Sequence, residues 1–288
     1  MDFNKLNLPK NYQISDFNRY DYLDTKNLIK NNKINTVCES ANCPNRYECF
    51  SKKTATFLIM GEICTRNCLY CDISSGEPTN LNKNEPKMIA ETVKKLNLNY
   101  VVITSVTRDD LFDQGISHFI DVINNIKKIK PNCKIEILIP DFIDNLQLID
   151  KLIESNPDVI NHNIETTFNL FNHLRPKGDY NHSLNLLKKI DAKSNSIITK
   201  SGFMVGFGET FNQIKETIND LHESRIDILT VGQYIPPSKN HYPVKKFYSE
   251  SEFNKIKSYA KNLGINYVFS NPFVRSSYKA FEVFENSN

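Results

Sequence analysis

The sequence predicts an α/β fold whose parallel sheet curves into a partial (β/α)6 TIM-like barrel with N-terminal and C-terminal extensions. Three observations carry this. Short, nearly continuous apolar runs recur along the chain, as they do in strands covered on both faces. Each run is followed by a segment with apolar residues at three- and four-residue spacing, the mark of an amphipathic crossover helix. Proline and glycine fall at the junctions, where a strand or helix must stop.

Taken in order, the runs are TFLIM at 56–60, YVVITSV at 100–106, KIEILIP at 134–140, DVINHNI at 158–164, SIITKSGFMVGF at 196–207 and DILTVGQYI at 227–235. Helical periodicity between and after them is clearest in Ile89, Val93 and Leu96; in Ile116, Phe119, Ile120 and Ile123; in Phe211, Ile214, Ile218 and Leu221; and in Phe253, Ile256, Ala260 and Leu263. Pro86 suits the first turn of a helix, and Pro140 and Pro157 punctuate element ends. Residues 1–55 are polar, interrupted by Asn and Pro, and form the N-terminal extension. The barrel then covers 56–264. A last strand-like run at 265–270 opens the C-terminal extension, 265–288.

Length and composition narrow the function. The chain of 288 residues, 40% hydrophobic and 24% charged, can bury a large core, and no apolar run approaches the ~20 residues of a membrane span. A net charge of +3 with dispersed lysines gives no nucleic-acid footprint. The N-terminal stretch has neither a signal-peptide core nor a transit-peptide composition, so the expected location is cytoplasmic. Seven cysteines in such a chain point to metal or redox chemistry rather than disulfides.

Six of those cysteines lie between Cys38 and Cys71, where random scatter would place fewer than one. They form two triplets, Cys38-x4-Cys43-x5-Cys49 and Cys64-x3-Cys68-x2-Cys71. The second follows the first predicted strand, at the barrel end where βα folds keep their active sites. Zinc competes for any cysteine cluster, but structural zinc sites favour paired CxxC and four protein ligands. Three thiols on one short loop fit an iron–sulfur cluster whose fourth iron takes another ligand. Cys133, the seventh, precedes an apolar run and reads as a small buried hydrophobe. The six histidines make no metal-ligand pattern, and His162 is the one expected near the site.

CxxxCxxC with Tyr70 before the last cysteine resembles the signature of the radical S-adenosylmethionine (SAM) superfamily. The resemblance implies a barrel of the radical SAM type and a 4Fe-4S cluster on Cys64, Cys68 and Cys71 that binds SAM and cleaves it to a radical. It also implies supporting residues. The spacing Gly202-x-Met204-x-Gly206-x-x-Glu209 is similar to the family's adenine-holding segment. Thr104, Ser105 and Arg108 follow the second strand, where the family binds the SAM amino group. Asn161, His162, Asn163 and Glu165 follow the fourth, where ribose and carboxylate contacts lie. For each polar residue a cap or surface hydrogen bond is the plainer alternative.

TVCESANCPNRYEC, with TATFLIMGEICTRNCLYC, ITSVTRDDL, NHNIET, KSGFMVGFGET, GQY and VRSSYKA, resembles the lipoyl synthase family in collinear order from about Thr36 to Ala280. That resemblance implies a second, auxiliary 4Fe-4S cluster on Cys38, Cys43 and Cys49 with Ser277 as its fourth ligand. It implies a sulfurtransferase that spends this cluster to insert sulfur at carbons 6 and 8 of a protein-bound octanoyl-lysine. The implied partners are octanoylated lipoyl carrier domains (2-oxoacid dehydrogenase E2 subunits and the glycine cleavage H protein), an electron donor such as flavodoxin or ferredoxin, and an iron–sulfur carrier for rebuilding; neither nucleic acid nor membrane is implied. Arg175 and Tyr234 are candidate contributors to the octanoyl slot or the carrier docking face. Two departures stand out: Tyr47-Glu48-Cys49-Phe50 around the third auxiliary cysteine, and Ile235-Pro236-Pro237 after GQY. The competing expectations are a biotin-synthase-like or methylthiotransferase-like enzyme, or a non-catalytic iron–sulfur electron-transfer module.

Overall fold

A computed structural model describes residues 17–52, 54–143, 145–194, 196–277 and 280–285. The first sixteen residues and Tyr278 of the C-terminal motif lie outside the described residues.

The N-terminal extension contains α1 (Arg19–Asn31), β1 (Asn35–Thr36), α2 (Val37–Ser40) and α3 (Arg46–Ser51). The first barrel strand, β2 (Thr56–Ile59), leads into a small ladder of β3 (Ile63–Cys64) and β4 (Ser74–Ser75), then α4 (Glu85–Lys95). The repeat continues with β5 (Tyr100–Ser105), α5 (Ile116–Ile129), β6 (Lys134–Leu138), α6 (Ile149–Glu154), β7 (Val159–Asn161), α7 (Phe168–Leu174), α8 (Tyr180–Lys193), β8 (Ile198–Val205), α9 (Phe211–Glu223) and β9 (Ile228–Gln233). Then come α10 (Glu250–Leu263), β10 (Tyr267–Ser270) and α11 (Ala280–Glu285).

The sheet order β1-β2-β5-β6-β7-β8-β9-β10 runs in sequence, so the chain winds one way, as a barrel requires. Among the described residues the pairings from β2 to β10 are parallel, and β1 alone pairs antiparallel, with Asn35 opposite Leu58. The six expected strands are all present. The N-terminal extension, expected to stand outside the βα pattern, adds a strand to the sheet edge, because Asn35 and Thr36 satisfy backbone groups that β2 would otherwise leave bare.

Local chemistry agrees with these boundaries. Thr210 with Gln213 and Ser249 with Glu252 form capping boxes at the starts of α9 and α10, and Gly264 ends α10 at φ +107°. Pro86 sits in the first turn of α4. Along β5, Val101 and Ile103 join the main helix-facing core, whereas Tyr100 and Val102 join a separate cluster with Val159, Ala280 and Phe284. The two-residue period of a strand therefore separates an outer core from a barrel interior. Phe284 of α11 packs on Tyr100 with ring centroids 5.4 Å apart, so α11 covers the barrel's N-terminal end. Cys133 is buried in the main core.

The interior also carries charge. Lys200 Nζ donates to both oxygens of Glu136 at 2.9 and 3.1 Å, and both side chains are 1% exposed. The Tyr100 hydroxyl and the Asn161 amide donate to the same carboxylate. Three strands besides β6 thus tie themselves to one buried anion. Lys200→Met leaves that anion without its cation and should destabilise the fold by about 3–5 kcal/mol in urea denaturation, with most of the loss recovered on adding Glu136→Gln. Equal stability of single variant and wild type would contradict this role.

Candidate active site

Local backbone sets the two cysteine loops. In the first, Thr36 caps α2 so that Cys38 starts its first turn, the Cys43 N–H returns to the Cys38 carbonyl at 3.1 Å, and the Cys49 N–H reaches the Asn45 carbonyl at 2.9 Å. Tyr47 and Phe50 from the unusual Tyr-Glu-Cys-Phe stretch pack on Tyr22 of α1, with centroids 5.1 and 5.9 Å away. Those aromatic anchors fix α3 and with it Cys49. In the second loop, Gly76 N–H bonds the Cys64 carbonyl, Leu69 N–H bonds the Leu174 carbonyl, and Tyr242 N–H bonds the Leu69 carbonyl.

A charged network underlies that second loop. Arg66, between Cys64 and Cys68, is 5% exposed and forks on Asp109 at 2.8 and 2.9 Å while reaching Asp141 at 2.6 Å. Arg175 shares Asp141 at 3.5 Å and donates to the Asn163 carbonyl at 3.1 Å. Burial would raise the Asp141 carboxyl, but the Arg66 hydrogen bond and the two guanidinium charges hold it below the ordinary carboxylate range. The sequence gives no signal for Arg66, Asp109 and Asp141, because nothing in a linear sequence marks two aspartates 32 positions apart as partners of one arginine. Arg175 is 8% exposed and belongs to this network rather than to a docking face.

A single cavity of about 240 Å³ gathers most of the expected residues. Cys38, Cys43, Cys49, Ser277, Tyr70, Cys71, Asn163 and Glu165 all line it. Ser277 arrives because the segment before it lies against β9: a Cβ on Gly232 would stand 2.0 Å from the Val274 carbonyl oxygen. The absence of a side chain at Gly232 is what lets that segment in. Asn163 donates to Glu165 at 3.0 Å and to Ser276 at 2.5 Å, joining the fourth-strand loop to the C-terminal segment. Glu165 has φ +68°, a costly conformation for a residue with a side chain, and burial raises its carboxyl.

Other expected residues, Cys64, Cys68 and Gly206 among them, do not line the cavity. Thr104 donates to the Leu138 carbonyl at 3.1 Å, and the Ser105 hydroxyl is buried without a partner. Arg108 does not line it: the guanidinium is committed to Asp110 at 2.9 and 2.8 Å and to the Met60 carbonyl at 3.2 Å, which makes it a loop anchor. Glu209 takes the Gly206 and Phe207 N–H groups at 2.7 and 2.9 Å, so it shapes the turn in which Gly206 holds φ +117°. His162 is buried, donates Nδ1–H to the Ile139 carbonyl, and is pushed down to about 4 by burial and the Arg175 charge; it is neutral and does not line the cavity. Tyr234 does line it, stacked on Phe207 at 4.2 Å, and so do Ile235 and Pro237.

The donor set fits two iron–sulfur clusters. Burial pushes the Cys38 thiol up to about 12, assisted by the Cys43 charge, and raises Cys49 further with repulsion from both neighbours. Burial likewise pushes Cys71 up to about 12, with the Cys68 and Cys64 charges adding to it. Burial and neighbouring thiolate charge therefore hold Cys38, Cys49 and Cys71 in the protonated form unless a bound cation outweighs them. No three Cys, His, Asp or Glu side chains among the described residues are grouped to hold one ion. A polynuclear cluster instead takes each ligand at a separate corner.

Comparisons with known proteins agree with this geometry. Residues 58–221 match the Radical SAM superfamily model. Lipoyl synthase from Caldicellulosiruptor saccharolyticus is 51% identical over 255 residues, 88% of this chain and 90% of that protein. Lipoyl synthase from Alkaliphilus metalliredigens is 50% identical over 260 residues, 90% of each chain. Among solved structures, methylornithine synthase aligns over 91% of this chain and 83% of its own at 15% identity and TM-score 0.53. Streptococcus suis SuiB bound to S-adenosylmethionine covers 78% of this chain and 54% of its own at 17% identity and TM-score 0.56. At such identities these structures show the shared fold alone.

Replacing Gly232 by Ala forces a methyl group toward the Val274 carbonyl. It should cost about 1–3 kcal/mol and loosen the segment that carries Ser277. Limited trypsinolysis read by mass spectrometry should then detect cleavage after Arg275 that the wild type resists. Unchanged cleavage would contradict the packing described.

Proposed function

This chain belongs to the lipoyl synthase family of the radical SAM superfamily, and from that premise we propose how its own residues divide the work of making a lipoyl group. It is a sulfurtransferase acting on a lipoyl-carrier protein, and it uses SAM and 4Fe-4S clusters. When bound, SAM and the clusters supply a hydrogen-abstracting radical and a store of sulfide for carbons 6 and 8 of the octanoyl chain.

One observation supports the residue assignment: Cys38, Cys43 and Cys49 of the first triplet, Cys71 of the second and Ser277 all line one cavity. Cys64, Cys68 and Cys71 hold the SAM-side cluster and leave one iron for SAM. Cys38, Cys43, Cys49 and Ser277 hold the auxiliary cluster. A serine oxygen is a harder and weaker ligand for iron than thiolate, so Ser277 would be the most readily released member of that ligand set. Asn163 and Glu165, fixed by the Ser276 and Arg175 contacts, orient SAM, with Tyr70 of the second cysteine loop packing toward Phe207. Gly206 and Glu209 keep the turn after β8 in the shape that receives the adenine. Thr104 and Ser105 stand at the end of β5 to meet the SAM amino group, while Arg108 acts through the loop it anchors.

The cavity wall explains how an octanoyl chain is accommodated. Val37, Leu138, Met204, Tyr234, Ile235 and Val274 line the same cavity as the first triplet and Cys71, and their apolar surface would exclude water from the reacting carbons. The biotin-synthase-like and methylthiotransferase-like alternatives lose to the shared family and to the serine beside the first triplet. For partners we infer E2 subunits of 2-oxoacid dehydrogenases and the glycine cleavage H protein as carriers, flavodoxin or ferredoxin as reductant, and an iron–sulfur carrier for rebuilding. No helix among the described residues is long and apolar enough to cross a membrane, and a cytoplasmic site of action is proposed with these partners.

Anaerobic incubation with octanoylated carrier, SAM and reductant should give lipoyl carrier by mass spectrometry, at no more than one turnover per chain unless the auxiliary cluster is rebuilt. A triple Cys38→Ala, Cys43→Ala, Cys49→Ala variant should still cleave SAM but form no carbon–sulfur bond. Loss of both activities together would contradict the division of labour. Ser277→Ala should depress sulfur insertion far more than SAM cleavage, and an equal loss of the two would remove Ser277 from the ligand set.

A further inference from the structure

Two asparagines flank Cys43 and its following proline, and neither belongs to the proposed ligand sets. Asn42 sits at φ +46°, a left-handed conformation that asparagine tolerates better than most residues, and from it the side-chain amide donates to the Asp72 carboxylate. Asp72 directly follows Cys71. It is held in turn by His241, whose Nε2 lies 3.4 Å from the other carboxylate oxygen and 3.2 Å from the Cys71 carbonyl, while Ser238 bonds His241 Nδ1 at 2.8 Å. On the opposite side, Asn45, 6% exposed, donates its amide to the Phe273 carbonyl at 2.8 Å, four residues before Ser277. The first cysteine loop is therefore tied at one point to the radical-generating loop and at another to the segment that delivers its fourth ligand.

We propose that Asn42 and Asn45 are positioning residues which keep the first cysteine loop in its binding shape independently of the metal it holds. This inference rests on the proposed function, in which that cluster is consumed and rebuilt. With a cluster in place, three thiolates and a serine oxygen cross-link the loop and the C-terminal segment. Once the cluster is spent, those cross-links go, and the remaining backbone bonds across Cys38 to Cys49 span only a few residues. The two amide clamps are made by protein atoms alone, so they outlast the metal. An amide suits the task because it is a neutral donor that does not compete with thiolate for iron. It fixes Cys43 relative to both halves of the cavity, so a returning cluster meets ligands already in register and loses less ordering entropy on binding.

The test is hydrogen–deuterium exchange of the full-length chain under anaerobic conditions, before and after a chelator removes iron, followed by timed reloading of iron and sulfide. Wild-type amides at 41–49 should exchange at similar rates in both states. Asn42→Ala and Asn45→Ala should each accelerate exchange there by about tenfold after iron removal, with little change while the cluster is bound, and should slow reloading of the first triplet by a similar factor. Asn45→Gln, which keeps the donor, should recover part of the difference. Asp72→Ala removes the other end of one clamp from outside the loop, so it must reproduce the Asn42→Ala result should that variant fold poorly. Exchange in the variants equal to wild type after iron removal overturns the inference. Iron for a single cluster in loaded wild type would instead overturn the two-cluster reading, and the exchange comparison between wild type and variants would stand unaffected.

Discussion

An unclosed parallel sheet has two edges whose backbone groups must find partners, and in this chain the way those edges are covered determines where the chemistry sits. The six-strand barrel core does not meet itself. On one side β1 adds an antiparallel rung to β2, and α2 with its cysteine follows directly. On the other side β10 extends the sheet, and the chain then turns back over Gly232. The two coverings touch where Asn45 bonds the Phe273 carbonyl. Cys38, Cys43, Cys49 and Ser277 reach one cavity because these edge-covering segments carry them there.

Charge buried in the barrel performs two separate tasks. Near its middle, Lys200, Glu136, Tyr100 and Asn161 bond side chains from four strands, so the interior is held by directional contacts as well as by packing. Closer to the cavity, Arg66, Asp109, Asp141 and Arg175 set the loop that bears Cys64, Cys68 and Cys71. Cys68 is raised by burial and eased by the Arg175 charge, so this network is felt at the second cysteine triplet. Removing one member of either network would leave another ion buried and unpaired, a larger penalty than the pair's net contribution.

Much of this was legible in the sequence, and the reasons are physical. Strands covered on both faces must be apolar throughout, so β5, β8 and β9 appear as runs, and the crossover helices appear as three- and four-residue periodicities. Cysteine spacing is legible because a cluster needs several thiolates from a short stretch. The exceptions are polar side chains that serve their own loops and segments that meet only in the fold. Arg108 looked like a SAM contact from its place after β5, yet Asp110 two residues on takes its guanidinium. Glu209 matched a cofactor-holding pattern, and its oxygens serve the turn's own N–H groups. Neither β1 nor the Gly232–Val274 contact has a local signature, because each exists only once distant segments meet.

In the proposed function two clusters meet at one cavity, and Ser277 closes the first of them. Anomalous diffraction at the iron edge from anaerobic crystals of the loaded protein tests it most directly. Two separate four-iron peaks, one beside Cys38, Cys43 and Cys49 with the Ser277 oxygen on its fourth iron, and one beside Cys64, Cys68 and Cys71, are the predicted result. A single peak, or a first cluster whose fourth iron is held by a group other than Ser277, would contradict it.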